Sequence, residues 1–216
     1  MRTPPSSSIS EQTYQTLLNR IIQRHIAPGE VLEERRLAEE LAVSRTPLRA
    51  ALNRLLGEQI VARLSNGSMI VKAFGAIELL ELLHIRILLE GEAAYLAAGR
   101  IAVQRLSNVQ AQLQAIMEQI DATEEQDWAV DNEVHELVAH HCGNKEMAKL
   151  IADARLRARL CNVERVPGRS VLARREHMAI IAALQTGHGE AAREAMVTHL
   201  TNVRQTYMST LGNIPQ

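Results

Sequence analysis

Apolar residues recur along this chain at intervals of three and four over most of its length, the period of helices with one buried face. Tyr14, Leu17, Leu18, Ile21 and Ile22 predict an amphipathic helix starting at Ser10, which Pro28-Gly29 ends by forcing a turn. Leu37, Ala38 and Leu41 place a second, short helix, and Leu48, Ala51, Leu52 and Leu55 a third. Ser44 lies where an N-cap belongs, its hydroxyl free to accept a first-turn amide, and Pro47 is tolerated because early helix amides lack intrahelical partners. With the apolar positions inward, Arg45, Thr46 and Arg49 stand at the exposed start of the third helix. This is the layout of a helix-turn-helix whose recognition helix enters the DNA major groove by its N-terminal end.

The period then changes once. Ile60–Leu64 and Met69–Lys72 are short apolar runs flanking Ser65-Asn66-Gly67-Ser68, and Asn-Gly between such runs predicts a type I′ hairpin, because both residues tolerate positive φ. Three helices followed by a hairpin make a winged helix-turn-helix over residues 10–74, preceded by a Pro/Ser-rich flexible arm at residues 1–9. Beyond Phe74-Gly75 the helical pattern returns at Ile77–Gly99, Val103–Thr123, Glu125–Cys142, Lys145–Val163, Arg169–Thr186 and Gly189–Leu211, with no strand pattern between them. The expected class is mainly α, with an all-α antiparallel six-helix bundle over residues 75–216.

Composition changes this picture little and charge changes it more. The chain of 216 residues is 46% hydrophobic with only five aromatic residues, an aliphatic make-up that suits helices. Its formal charge of −1 conceals an asymmetry: residues 1–75 hold ten Lys/Arg against seven Asp/Glu, net +3, and the remainder fourteen against eighteen, net −4. A basic DNA-facing part followed by an acidic part that does not face DNA is consistent with that division. Cys142 and Cys161 make neither a disulfide framework nor a metal-binding spacing. No apolar run is long enough to span a bilayer and the N-terminus lacks a signal-peptide core, so a cytoplasmic protein without membrane contact is expected.

Chemistry concentrates in the second part. Asp131 and His135, four residues apart, share one helix face, while His177 and His199 lie among inward-spaced apolar residues of later helices. Spacing alone leaves two readings open: separate structural histidines, or a converged set of three imidazoles and one carboxylate, suited to a transition ion with open positions. Arg86, four residues before Glu90, likewise reads either as an intrahelical ion pair or as a grip for an organic acid. His25, His84, His140, His141 and His188 read as surface or cap residues, and Cys142 as a small buried hydrophobe. The run Arg155, Arg157, Arg159 reads as a solvated helix face from which one arginine could reach the pocket, and Glu124, Glu125 and Asp127 suit a helix N-terminus.

Residues 14–74 resemble the DNA-binding domain of the GntR family of bacterial transcription regulators. The resemblance rests on Ile26-Ala27-Pro28-Gly29-Glu30-Val31-Leu32, on Leu37-Ala38-Glu39-Glu40-Leu41-Ala42-Val43-Ser44-Arg45-Thr46-Pro47-Leu48-Arg49, and on Asn66-Gly67 in the wing. The family usually has an acidic residue after that last arginine, where this chain has Ala50, and the wing is approached atypically by Gly57-Glu58-Gln59-Ile60; an unusual operator is expected. Residues 77–211 are similar to the FCD effector-binding domain of FadR-type members, with Arg86-Ile87-Leu88-Leu89-Glu90 matching the signature of its first helix.

The resemblance implies specific roles. Asp131, His135, His177 and His199 match in order the four ligands of the metal-binding FCD domains, with Zn the favoured ion and Ni, Fe or Mn the alternatives. Arg35, Arg45 and Arg49 would meet phosphates and base edges, Ser44 and Thr46 would hold the DNA backbone, and Gly67 would let the wing tip approach the minor groove. The implied protein is a homodimeric repressor on palindromic double-stranded operator DNA, controlled by a small organic acid bound at the metal and at Arg86, and not an enzyme. Two rivals stand beside it: a regulator for which the ion itself is the signal, and a metal-dependent hydrolase fused to a DNA-binding domain.

Overall fold

The structure is a computed structural model that describes residues 8–119, 121–161 and 168–212. Phe74 and Gly75 mark the boundary between two compact units, with Arg159–Cys161 grouped with the first.

The first unit contains α1 (Ile9–Ile22), α2 (Glu34–Glu40), α3 (Arg45–Gly57), β1 (Val61–Arg63) and β2 (Met69–Val71). Helix α1 starts one residue earlier than its apolar pattern predicts, because Ser8 rather than a later serine caps it, accepting from the Glu11 amide at 3.2 Å. Residues 1–7 of the expected arm lie outside the described residues. Leu48, Ala51, Leu52 and Leu55 of α3 are buried with Leu17, Leu18 and Ile21 of α1, so the predicted inward faces are the observed ones. Ser44 does occupy the N-cap of α3, but its side chain makes no capping hydrogen bond.

The wing departs from the expected type I′ turn. Leu64 N–H donates to Ser68 O (2.8 Å) and Gly67 N–H to Leu64 O (2.9 Å), closing a three-residue loop in which only Gly67 has positive φ, at 88°. Asn66 keeps a negative φ because its side-chain oxygen accepts from the Ser68 amide at 3.0 Å, which suits a turn followed by a left-handed glycine. Strands β1 and β2 pair antiparallel, and Glu30–Leu32 adds to the edge of β2 through Leu32 N–H to Met69 O and Val71 N–H to Glu30 O.

The second unit is built from α4 (Ala76–Ala97), α5 (Val103–Met117), α6 (Glu124–His141), α7 (Lys145–Leu160), α8 (Arg169–Gln185) and α9 (Gly189–Gly212). Val163, predicted as the end of α7, lies outside the described residues. Helix α4 packs on α9 and α6, and α8 on α9, α5 and α6. Gly91 permits a close approach of α4 and α9: a Cβ there would stand 2.8 Å from Val197 Cγ2 of α9. Helix α5 stops at Met117, short of the predicted Thr123, because Thr123 instead caps α6 in a reciprocal box with Gln126. The carboxylates of Glu124, Glu125 and Asp127 fall in the first turn of α6, where the helix dipole favours them.

Leu52 is fully buried at the centre of the first unit. Leu52→Ala is expected to lower its unfolding free energy by about 2–5 kcal/mol, measured by urea denaturation followed by circular dichroism. A loss under about 1 kcal/mol would show that the void collapses around the shortened side chain.

Candidate functional site

Three helices bring one cluster together. Asp131 and His135 lie one turn apart on α6, His177 on α8 and His199 on α9, and one ligand atom from each falls within 4.8 Å of all the others. The three histidines are buried, as are Val134 and Val138 of α6, Ile180 and Ile181 of α8, and Met196 and Leu200 of α9. Their centroids are 4.5 to 5.3 Å apart. Nε2 of His135 and Nε2 of His177 stand 3.7 and 3.5 Å from Asp131 Oδ1, and both nitrogens are buried without a hydrogen-bond partner. Orphaned buried nitrogens facing a carboxylate oxygen fit a cation that takes three nitrogens and one oxygen, the donor set of a Zn²⁺ or similar transition ion.

A second layer of side chains orients the rings. His135 Nδ1 bonds Glu90 Oε2, and Glu90 Oε1 accepts from Arg86 Nε at 2.5 Å. His199 Nδ1 bonds Glu176 Oε2 at 2.7 Å; Glu176 is held in turn by Arg169 (2.5 Å) and Asn202 (2.8 Å). A carboxylate accepting from Nδ1–H assigns the proton to that nitrogen and leaves the Nε2 lone pair for a metal.

The electrostatics agree with this geometry. Burial, reinforced by Arg155, pushes His135 down to about 4 against the pull of Glu90 and Asp131. Burial and the neighbouring His199 hold His177 well below the usual imidazole range. Both rings are therefore neutral at pH 7, as ligation requires. Burial opposes ionisation of Asp131 and Glu90, but Arg155 beside the first and Arg86 beside the second hold both well below the carboxylate range. Burial likewise opposes ionisation of Glu176, yet its bonds to His199, Arg169 and Asn202 bring it to about 2.

In the first unit Arg45 and Thr46 are exposed in the opening turn of α3, Ser44 is exposed just before them, and Gly67 is exposed in the wing turn. Arg49 is 59% exposed and donates to Glu34 Oε2 at 2.7 Å; Arg35 on α2 is 83% exposed and bonds Glu39.

The FCD domain family matches residues 81–202, more than half of the chain, and the family of bacterial regulatory proteins, gntR family, matches residues 9–71. The chain belongs to the GntR family. It is a transcriptional regulator with an FCD domain, an architecture that fits the FadR subfamily. The Nta operon transcriptional regulator of Aminobacter aminovorans is 38% identical over 86 residues, 40% of this chain and 41% of that protein. The HTH-type transcriptional repressor RspR of Escherichia coli (strain K12) is 24% identical over 209 residues, 94% of this chain and 90% of that one. The solved structure of E. coli McbR/YncC has a TM-score of 0.79 at 22% identity, over 95% of this chain and 100% of that chain, a likeness of fold. The matched families and relatives are transcriptional regulators, not enzymes. No helix among the described residues is long and apolar enough to cross a membrane.

Some of the remaining residues of this GntR protein stand where the sequence pattern placed them and others do not. Arg155 does not lie on a solvated face: it is buried and donates to Asp131 Oδ2 at 2.9 Å and to Asn132 Oδ1 at 2.7 Å. Arg157 bonds Glu78 of α4. Arg86 is buried and donates to Glu90 one turn along the same helix. Glu176 was legible only as the neighbour of His177; one residue along a helix turns it away from that ring and toward His199. Cys142 is buried at the C-cap of α6, where its sulfur accepts from the Asn144 amide. His25, His84, His140 and His188 are exposed, and His141 bonds back to Leu137 O.

Glu176→Gln removes the charge that orients His199. It is expected to weaken binding of added Zn²⁺ about 10- to 100-fold in a competition titration with a chromophoric chelator. Unchanged affinity would show that the ring is held without the carboxylate.

Proposed function

We propose that this regulator is a homodimeric repressor whose operator binding is controlled by a small organic acid bound beside a divalent transition ion. The observation that carries the reading is the pair of buried, unpartnered Nε2 atoms of His135 and His177, facing Asp131 with His199 alongside. A divalent ion held by Asp131, His135, His177 and His199 would offer open coordination positions to carboxylate oxygens. Glu90 and Glu176 hold two of the rings in the ligating tautomer, and Arg86, bonded to Glu90 through Nε, lines the acid's side of the site as a cation. Sign and symmetry come from outside the cluster: RspR, a relative along nearly the whole chain, is a repressor. A two-fold dimer would set two recognition helices on the two halves of a palindrome.

On the DNA side we assign base-edge contacts to Arg45 and Arg49, phosphate contacts to Arg35, backbone contacts to Ser44 and Thr46, and close approach of the wing to Gly67. All six are exposed. An effector alters operator affinity only by binding the DNA-competent and DNA-incompetent arrangements unequally.

Elemental analysis of the purified protein and a thermal-shift screen of small organic acids test the effector side. His199→Ala is expected to lose bound metal, and wild-type stoichiometry in that variant would remove His199 from the ligand set. Operator affinity that follows free metal and ignores organic acids would make the ion itself the signal. Arg49→Ala is expected to lower specific operator affinity by about 1–3 kcal/mol at fixed salt while the second unit stays folded, measured by fluorescence anisotropy. Equal affinity of wild type and variant would remove Arg49 from the readout.

A further inference from the structure

Arg63 stands apart among the cations of the first unit. Arg20, Arg35, Arg36, Arg49 and Arg54 are each paired with a glutamate. Arg45 and Arg63 are exposed and meet no acid or ring among the described residues. Arg45 opens α3, whereas Arg63 ends β1, in the wing. It is the only charged residue between Glu58 and Lys72. Register places it opposite Met69 and on the face of Val61 and Val71, and those three are buried, so Arg63 continues the core-facing side of the hairpin out to where a side chain is exposed. The tip that follows, Ser65-Asn66-Gly67-Ser68, is small and uncharged.

An unpaired guanidinium gives up no internal partner when it meets a polyanion, unlike Arg49, which must release Glu34. Beside a major groove filled by a helix lies a minor groove about 6 Å wide, which admits a thin, neutral hairpin tip more readily than a bulky or acidic one. Where A·T tracts narrow that groove, its negative potential deepens and draws arginine in, whatever hydrogen-bond pattern the bases offer. We propose that Arg63 inserts into the minor groove beside the major groove read by α3 and makes the protein prefer operators with A·T-rich flanks. The proposal rests on the wing reading above, in which Gly67 brings the hairpin tip to DNA. It adds a sequence preference outside the base pairs that α3 reads, and the source of that preference is groove width, not a base-edge contact.

The test uses the full chain and the duplexes that wild type itself enriches from a pool of random sequence, with affinity followed by fluorescence anisotropy over a range of salt concentrations. The enriched duplexes are expected to carry A·T-rich flanks around a common core. Replacing those flanks with G·C pairs is expected to weaken wild-type binding about tenfold. Inosine·C pairs, which lack the guanine N2 amino group in the minor groove, are expected to restore it. Arg63→Gln is expected to keep the preference for the core, to bind all three flanks alike, and to lower the slope of log affinity against log salt by about one. Equal wild-type affinity for A·T and G·C flanks overturns the proposal without any variant. An Arg63→Gln protein that keeps the wild-type flank preference and salt slope also overturns it, leaving Arg63 as a charge that guards the edge of β1. Hydroxyl-radical cleavage separates the two readings: protection of the flanking minor groove in either of those cases leaves the wing reading standing, and its absence from the wild-type complex overturns both.

Discussion

Two imidazole nitrogens buried against one carboxylate oxygen set the terms for the second unit. His135 and His177 come from different helices, yet both aim Nε2 at Asp131 Oδ1, and neither nitrogen has a hydrogen-bond partner. Such an arrangement is unfavourable unless something occupies it or the surrounding helices over-determine it. They do over-determine it. The chain Arg86, Glu90, His135 runs from α4 to α6, and Arg169 with Asn202 fixes Glu176, which fixes His199. Each buried carboxylate has a guanidinium beside it, so the charges that orient the rings are themselves paired. The same bonds join the helices of the bundle and leave the Nε2 lone pairs turned toward a common centre, as ligation of an ion would require.

The first unit handles its charge differently. Three exposed arginines of α2 and α3 are tied to acids of the same unit, Arg49 to Glu34, Arg35 to Glu39 and Arg36 to Glu30. Exposed pairs of this kind are worth about 0–1 kcal/mol, so a phosphate or a guanine edge can replace the acid at small cost. Such a surface would show less net attraction to polyanions in general than one of unpaired cations, and would release its cations where shape permits. A net charge of only +3 over residues 1–75 suits that behaviour better than a strongly basic patch would.

Much of this was legible in the residues, and what was not has a physical reason. The inward faces of α1 and α3 follow from apolar spacing because burial is what selects a helix face, and the Asp131–His135 spacing placed both on one side of α6. The wing turn was read by its residue types, but Asn66 spends its side chain on the Ser68 amide and keeps a negative φ, so loop length, not composition, decided the turn. Ser44 marked a helix start correctly as a position and wrongly as a hydrogen bond. Arg155 and Glu176 were the harder cases. Their partners lie 24 and 23 positions away on other helices, and no local pattern records which of three alternating arginines, or which of two adjacent residues, the bundle turns inward.

That last point bears on how a ligand in the second unit can reach DNA. A ligand in the cluster would meet Arg155, Asp131 and the three rings, which are contributed by α6, α7, α8 and α9. Helices packed to crystal-like density do not deform gradually; a change at their common centre favours one discrete packing over another. Linkage then sets a condition that holds whatever path the change takes. An effector that weakens operator binding by some factor must itself be bound more weakly, by the same factor, when the protein is on its operator. On the proposed reading, the site would be as much a sensor of DNA occupancy as the recognition helix a reporter of the effector, and either could be read from the other's affinity.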